Sequence, residues 1–400
     1  MENSKKDKIY KIIMLVIITA IVTFMVTSIG MYNYLTKTDK GTGILLESIE
    51  PSEDTKDISK KMEKIKAYLE KYYIGELDDK KMSEMAIKGY VAGLDDEYTE
   101  YLMKEEYEDL LVSVTGDYVG IGIYMYKDSE DGSIVVLMPM EGSPAEEAGL
   151  QVGDKIISVD GESCIDMDIN VAATKIKGEE GTSVELEILR DNKTIKKTVE
   201  RRTVEIKDSR SEVLEGNIGY IELTTFDEGC TDNIKKYLSD FQNQGINSVI
   251  IDLRNNTGGV VTEAIEFSEL FIKRGDTIMR SYNKTDEETV VTSNNTKPIE
   301  MKIIVLVNEY SASATEIVTG ALQDNKVATI VGTKTYGKGV MQEIIPIFQG
   351  EAALKVTIEE FKTPNGNKIN KVGITPDEIV ENDEETEEDE QLEAALNLLK

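Results

Sequence analysis

Lys302-Ile-Ile-Val-Leu-Val-Asn308 is followed by Glu309-Tyr-Ser-Ala-Ser-Ala-Thr-Glu316 and then by Ile317 to Asp324. A short apolar run rich in β-branched residues, closed by a polar turn, reads as a buried strand, and the stretch after it as a helix. Ser313 stands where the strand becomes the helix. Two roles compete for it. Ser313-x-x-Glu316 is a capping box, in which the hydroxyl accepts from a free amide of the first helical turn. A serine at that place is also a candidate nucleophile, because the free N–H groups and the positive end of the helix dipole can receive an oxyanion. The segment alone leaves both open.

Composition narrows the chemistry. The 400 residues contain no histidine. That removes Ser-His-Asp and Cys-His mechanisms and imidazole-based zinc sites. A nucleophile in this chain takes its base from Lys, a carboxylate or a terminal amine. A formal net charge of −31 argues against nucleic acid and anionic lipid as partners. Cys164 and Cys230 lie far apart in sequence, which makes neither a disulfide framework nor a metal cluster. No metal or cofactor is expected.

The length suggests two or three domains. Lys5, Lys6, Lys8 and Lys11 precede a nearly unbroken apolar run from Ile12 to Gly30. Nineteen residues at 1.5 Å each cover about 29 Å, the thickness of a bilayer core. The expectation is a single-pass cell-membrane anchor over 1–35, with everything after it extracytoplasmic by the positive-inside rule. Residues 36–56 read as a linker. From 57 to 111 apolar residues recur at three and four (Ile58, Met62, Ile65, Leu69; Met82, Met85), which predicts a small helical region. The acidic turn Leu94-Asp-Asp-Glu-Tyr-Thr-Glu-Tyr101 is expected to be solvated.

At Val112 the pattern changes to short β runs. Ser143-Pro-Ala-Glu-Glu-Ala-Gly-Leu150, then Gly153-Asp-Lys-Ile-Ile-Ser-Val-Asp-Gly161, predicts a short helix, a strand and a tight turn; Asp166 to Lys177 reads as a helix. This order over 112–205 resembles a PDZ domain of the permuted bacterial kind. The resemblance puts Gly120-Ile121-Gly122-Ile123 at the loop that holds a peptide's C-terminal carboxylate, with the peptide added as a strand.

Residues 206–380 alternate strand and helix, with Val327 to Gly332 and Val340 to Phe348 as further strands of the α/β layer. Residues 381–400 are an acidic linker and a short helix. Thr335-Tyr-Gly-Lys-Gly339 sets a lysine between two glycines beside a buried strand, where burial can lower its pKa and let it act as a base.

Ser311-Ala-Ser-Ala-Thr-Glu316, Tyr336-Gly-Lys-Gly339, Asp252-Leu-Arg-Asn-Asn-Thr-Gly-Gly259 and Gly373-Ile-Thr-Pro-Asp377 together resemble the carboxyl-terminal processing peptidases, or tail-specific proteases, over roughly 58–400. The resemblance implies a crotonase-like α/β core with an inserted β-rich PDZ domain. It implies Ser313 as nucleophile, Lys338 as general base, Gln342 as its assistant, and the amides of Gly258 and Ala314 as oxyanion hole. It implies protein or peptide substrates with free, apolar C-termini, gating by the PDZ domain and a homodimer. The resting contact expected is Ser313 to Lys338. The chain departs from the family at Thr257, Thr315 and Leu94-Asp-Asp-Glu-Tyr98. Lys177 stands where the family often has an arginine and is the candidate regulatory residue. The alternative functions are a catalytically silent PDZ scaffold and an acyl-CoA enzyme; the second lacks its carboxylate constellation.

Overall fold

The structure is a computed structural model and describes residues 53–128, 131–205, 207–383 and 388–400. The expected anchor lies outside the described residues. Among the described residues no helix is long and apolar enough to cross a membrane. The chain divides into a unit of residues 1–90 and a unit of residues 91–400. The first contains the helix Glu53–Tyr72 and most of the helix Asp79–Ala92, tied by Lys66 Nζ donating to Asp79 Oδ2 at 2.7 Å.

In the second unit the central sheet has six strands, in the order Ser209–Leu214, Ile218–Leu223, Ser248–Asp252, Lys302–Val307, Ala328–Gly332 and Glu378–Ile379. The first pair is antiparallel and the rest are parallel. Both faces are covered, which is why the inner strands Ile218–Leu223, Ser248–Asp252 and Lys302–Val307 are largely apolar. Val249, Ile251, Ile303, Val305 and Val307 meet the helices Cys230–Asn243, Val261–Glu269 and Ala314–Asp324. The alternate residues Ile250, Ile304 and Leu306 meet Leu392, Ala395 and Leu399 of the closing helix Glu390–Leu399. Each such side chain contributes about 1.5–3 kcal/mol by leaving water.

Val340–Ile347 is not part of this sheet, contrary to the sequence expectation. It pairs with Ala352–Lys362 in a separate antiparallel sheet that also contains Glu100–Met103, Thr277–Asn283 and Glu288–Thr292. A parallel neighbour needs a crossover of a dozen or more residues. The segment between Gly332 and Val340 is too short for one, so Val340–Ile347 cannot lie parallel beside Ala328–Gly332, and that edge is taken by Glu378–Ile379. The expectation of a solvated turn at 94–101 is also corrected. Thr99 and Tyr101 are buried, and Glu100–Met103 pairs with Ala352–Lys355. The partner strand lies some 250 residues on, beyond the reach of local pattern.

The β-rich domain is an antiparallel sheet in the order Ile123–Lys127, Ile134–Pro139, Lys155–Val159, Ser183–Arg190 and Lys193–Glu200. Its helices are Pro144–Glu147, capped by Ser143, and Ile169–Ile176, capped by Asp168 accepting from the Asn170 amide at 2.9 Å. The strands Asp117–Gly120 and Arg202–Glu205 pair with each other and close the domain at its root. Arg201 is buried beside them and donates to the carbonyls of Lys175, Ile176 and Ser183, satisfying the open end of the helix.

The two crossings between this domain and the core meet at a pair of buried carboxyls. Asp208 lies on the way out, and Asp227 presses on Gly116 on the way in: a Cβ at Gly116 would come within 2.5 Å of Asp227 Oδ2. Asp227 Oδ1 is buried and has no hydrogen-bond partner. Ligand atoms of Asp208, Asp227 and Cys230 lie within 4.8 Å of one another. Burial, and after it the Asp208 carboxyl, pushes Asp227 up to about 7, while an unfolded aspartate titrates near about 3.9. The folded pair therefore retains a proton that the unfolded chain releases. The stability this contributes is full below about pH 4 and is lost as pH rises through about 7. Asp227→Asn is expected to flatten that part of the stability profile. Denaturant midpoints at pH 5 and pH 8 test it, and an equal pH slope in both proteins would refute the shared proton.

Candidate active site

The turn between Val307 and Ala314 is held by short polar bonds. Ser311 Oγ donates to the Leu253 carbonyl at 2.8 Å and accepts from the Asn308 amide at 2.9 Å. The Ala312 amide donates to the Asn256 carbonyl at 3.1 Å, and Thr315 Oγ1 donates to the same residue. These bonds hold Ser313 at φ 56°, ψ −116°, a strained backbone for a residue with a Cβ. Such strain costs on the order of 1–3 kcal/mol and persists only where the surroundings over-determine it.

Glu316 connects this turn to the lysine loop. It is fully buried and accepts four hydrogen bonds. Oε2 takes the amides of Ser313 at 3.0 Å and Lys338 at 2.8 Å. Oε1 takes the Gly337 amide at 2.8 Å and Thr335 Oγ1 at 2.6 Å. One carboxylate thus places the backbones of Ser313 and Lys338 side by side. Burial raises its pKa, against the pull of the four donors. The sequence pattern assigns Glu316 only to the capping box. The two residues do face each other as that motif requires. The Glu316 amide, however, donates to the Ser313 carbonyl at 2.8 Å, and the Ser313 hydroxyl forms no cap hydrogen bond, so it is not spent on capping.

Lys338 is half-buried. Its pKa is lowered by burial and then by Lys355, whose charge is paired with Glu100 at 2.9 Å. Lys338 Nζ lies over the Tyr98 ring, 4.8 Å from the centroid. The expected hydrogen bond between Ser313 and Lys338 is not formed in this state. Burial, then Glu97 and Tyr336, pushes the Tyr98 phenol up to about 12, so it stays neutral. Tyr98 is a wall of the site, and no motif in the sequence singles it out. Gln342 does not bond to Lys338 either; its Nε2 donates to Thr357 Oγ1 at 3.5 Å. The Thr357 amide donates to Thr99 Oγ1, and the Thr99 hydroxyl in turn to Asp96, so the 94–101 segment supports this edge.

Gly258 packs directly on the serine turn. A Cβ there would lie 2.7 Å from the Ala312 carbonyl oxygen and 2.9 Å from both the Ala314 nitrogen and Ser313 Cβ. The Ala314 amide has no hydrogen-bond partner among the described residues. The Gly258 amide donates to Asn256 Oδ1 at 2.9 Å. One of the two amides read as an oxyanion hole is therefore open and the other is engaged. Asp252 and Arg254 of the same motif are structural: Arg254 bridges Asp252 and Asp389 and locks the closing helix.

In the β-rich domain the Gly122 carbonyl accepts from the Met140 amide and from Ser143 Oγ, both at 3.0 Å. The Ile121 carbonyl accepts from the Ala145 amide at 2.8 Å. The loop Gly120–Ile123 is thereby held through the carbonyls of Ile121 and Gly122. Lys177 Nζ donates to Asp109 Oδ1 at 3.1 Å and lies 5.9 Å from the Tyr118 ring centroid.

The sequence pattern of peptidase family S41 matches residues 217–380, and that of a PDZ domain matches 135–190. A carboxyl-terminal-processing protease of Synechocystis sp. is 34% identical over 342 residues, 82% of this chain and 80% of that protein. A probable CtpA-like serine protease of Staphylococcus haemolyticus is 36% identical over 328 residues, 81% of this chain. The match spans 65% of the staphylococcal protein, just under two thirds of its length. A solved structure of a putative S41 protease from Bacteroides fragilis aligns with a TM-score of 0.51 at 19% identity, over 82% of this chain and 92% of that one, a likeness of fold.

Proposed function

The chain belongs to peptidase family S41, and on that footing we propose that it is a serine endopeptidase that takes substrates by their C-termini and cuts them with a Ser-Lys pair. The observation that carries this reading is the Glu316 carboxylate, which holds the amides of Ser313 and Lys338 on one oxygen. Neutral Lys338 takes the proton of the Ser313 hydroxyl as Oγ attacks the scissile carbonyl carbon. The amides of Ala314 and Gly258 receive the oxyanion. The lysine ammonium then gives its proton to the leaving amine, and an acyl-enzyme remains. Water, losing a proton to Lys338, cleaves the ester, and Ser313 regains its proton. Two local changes complete the site: Lys338 moves from Tyr98 to Ser313, and the Gly258 amide leaves Asn256. Gln342 would steady the lysine after that movement.

The β-rich domain would bind an apolar free C-terminus at Gly120–Ile123, with Lys177 coupling it to Asp109. The core architecture is read as crotonase-like. Residues 1–35 are read as a membrane anchor that leaves the catalytic unit extracytoplasmic, and the protein as a homodimer.

Ser313→Ala and Lys338→Ala are each expected to lower cleavage of a loosely folded reporter with an apolar tail by at least about a thousandfold. Unchanged cleavage in both would overturn the mechanism. The lowered lysine pKa also sets the pH dependence: kcat/KM rises with pH and levels off above a pKa that lies below the ordinary 10.5. A profile flat from pH 6 to 9, with chemistry rate-limiting, would remove Lys338 as base. A silent scaffold is favoured by the missing Ser313–Lys338 contact; tail binding with no serine-dependent cleavage would establish it.

A further inference from the structure

Lys338 Nζ rests on an aromatic face. It lies 4.8 Å from the centroid of the Tyr98 ring, inside the ~6 Å over which a ring face attracts a cation. Among the described residues the amine has no hydrogen-bond or ion-pair partner; the group of Lys338 that bonds to Glu316 is its backbone amide. A charge partly removed from water needs a compensating partner, and here the ring supplies it.

Both sides of this contact are fixed through their backbones. Thr99, next to Tyr98, is buried; its hydroxyl accepts from the Thr357 amide at 3.0 Å and donates to Asp96. Glu100 then opens the strand paired with Ala352–Lys355, and its carboxylate meets Lys355 at 2.9 Å. On the other side, Glu316 holds the Lys338 amide at 2.8 Å. A Cβ at Gly339 would lie 2.3 Å from the Asn370 nitrogen, and one at Gly337 2.9 Å from the Gly373 nitrogen, so the lysine loop packs too closely to shift as a whole. What remains free to move is the Lys338 side chain, between Tyr98 and Ser313.

We propose that the Tyr98 ring is a parking face for the charged form of Lys338: it holds the ammonium away from Ser313 and releases the side chain to the serine when the proton is lost to water. The proposal rests on the Ser-Lys reading above and adds a positioning residue to it. An ammonium has no lone pair and cannot act as a base. A neutral amine has one, and has lost the charge that binds it to the ring. Release and activation are therefore one event. The groups around Lys338 act alongside the ring. Burial and then Lys355, on the strand Ala352–Lys362, oppose the ammonium; Glu97, Glu100 and Glu316 favour it. Tyr336, on the lysine's own loop, adjoins the Tyr98 phenol, and that phenol is neutral, so the ring acts through its face and not through a charge.

The test is the pH profile of kcat/KM for the full chain and for Tyr98→Leu and Tyr98→Phe. The substrate is an N-terminally blocked, unstructured fluorogenic peptide ending in Ala-Val-Val and free of His, Cys, Lys and Tyr, so that it does not itself titrate from pH 6 to 10. Thermal melts show that the variants are folded; if leucine unfolds the chain, Tyr98→Met takes its place. Tyr98→Leu is expected to move the midpoint of the profile down by about 1 pH unit, because a cation–π contact to a desolvated lysine is worth about tenfold in proton affinity. On the acid limb, relative to its own plateau, the variant is then about tenfold more active than the parent. Tyr98→Phe retains a ring face and is expected to keep the parent's midpoint. A wall with only a structural role predicts the opposite sign, since opening the site to water favours the ammonium and raises the midpoint. An unchanged or raised midpoint in Tyr98→Leu would overturn the proposal, as would an equal fall in Tyr98→Phe. If the parent's own profile is flat, or if cleavage survives Ser313→Ala, the Ser-Lys reading fails and the proposal with it. The two failures are thus distinguishable.

Discussion

Glu316→Gln is expected to lower kcat/KM by at least about a hundredfold and to destabilise the fold by about 3 kcal/mol, although the residue touches no substrate in the mechanism above. The carboxylate accepts from four donors, two on each oxygen. Glutamine keeps one acceptor oxygen and presents an NH2 group to donors that need an acceptor. At least one buried N–H pair loses its partner, and a hydrogen bond to a charged group is worth about 1.5–3 kcal/mol. The catalytic loss has a separate cause. The backbones of Ser313 and Lys338 share Oε2, so pushing them apart misplaces nucleophile and base together. A displacement of about 1 Å can cost on the order of a hundredfold. Steady-state cleavage and urea denaturation measure the two effects. A variant as stable as the parent and within a few-fold of its kcat/KM would show that the carboxylate is not the clamp.

Gly258→Ala is expected to remove activity by about two to three orders of magnitude at a stability cost of about 1–3 kcal/mol. Gly258 has φ 105°, outside the range of residues with a Cβ, and a methyl group would meet atoms of the serine turn on three sides. Neither the Ala312 carbonyl nor the Ala314 nitrogen can step aside without moving Ser313. The control is Gly245→Ala. Gly245 also has a positive φ, of 77°, but open space where a Cβ would go. That change carries the backbone strain alone, about 1 kcal/mol, and should leave cleavage intact. Equal activity losses in the two variants would mean that strain, and not the contact with the serine turn, is responsible.

Much of this architecture is legible in local sequence because the forces behind it are local. Lys302 to Val307 alternates between two buried faces, and a continuous apolar strand ending in a helix start is what an α/β layer requires. The absence of histidine, together with a glycine-flanked lysine, points to Lys338. The tight turns and small residues around Gly120 to Ile123 and Ser143 to Leu150 carry the PDZ resemblance. Val340–Ile347 is the exception: the strand pattern assigns the segment to the central sheet, and its pairing with Ala352–Lys362 removes it.

What only the tertiary structure decided involves partners far apart in the chain. Tyr101 is buried because its strand pairs with residues near 354, so an acidic stretch that looks solvated becomes a wall of the site. Tyr98 lies against Lys338, Lys177 over Tyr118, and Asp208 beside Asp227, in each case by packing that no spacing rule contains. Ser313 shows the division most directly. Sequence by itself determined that a serine stands at the start of a helix with a glutamate three residues on. The folded chain determined that the glutamate serves the lysine loop as well. Four donors converge on one buried carboxylate, and burying that charge is tolerable only when its oxygens are satisfied.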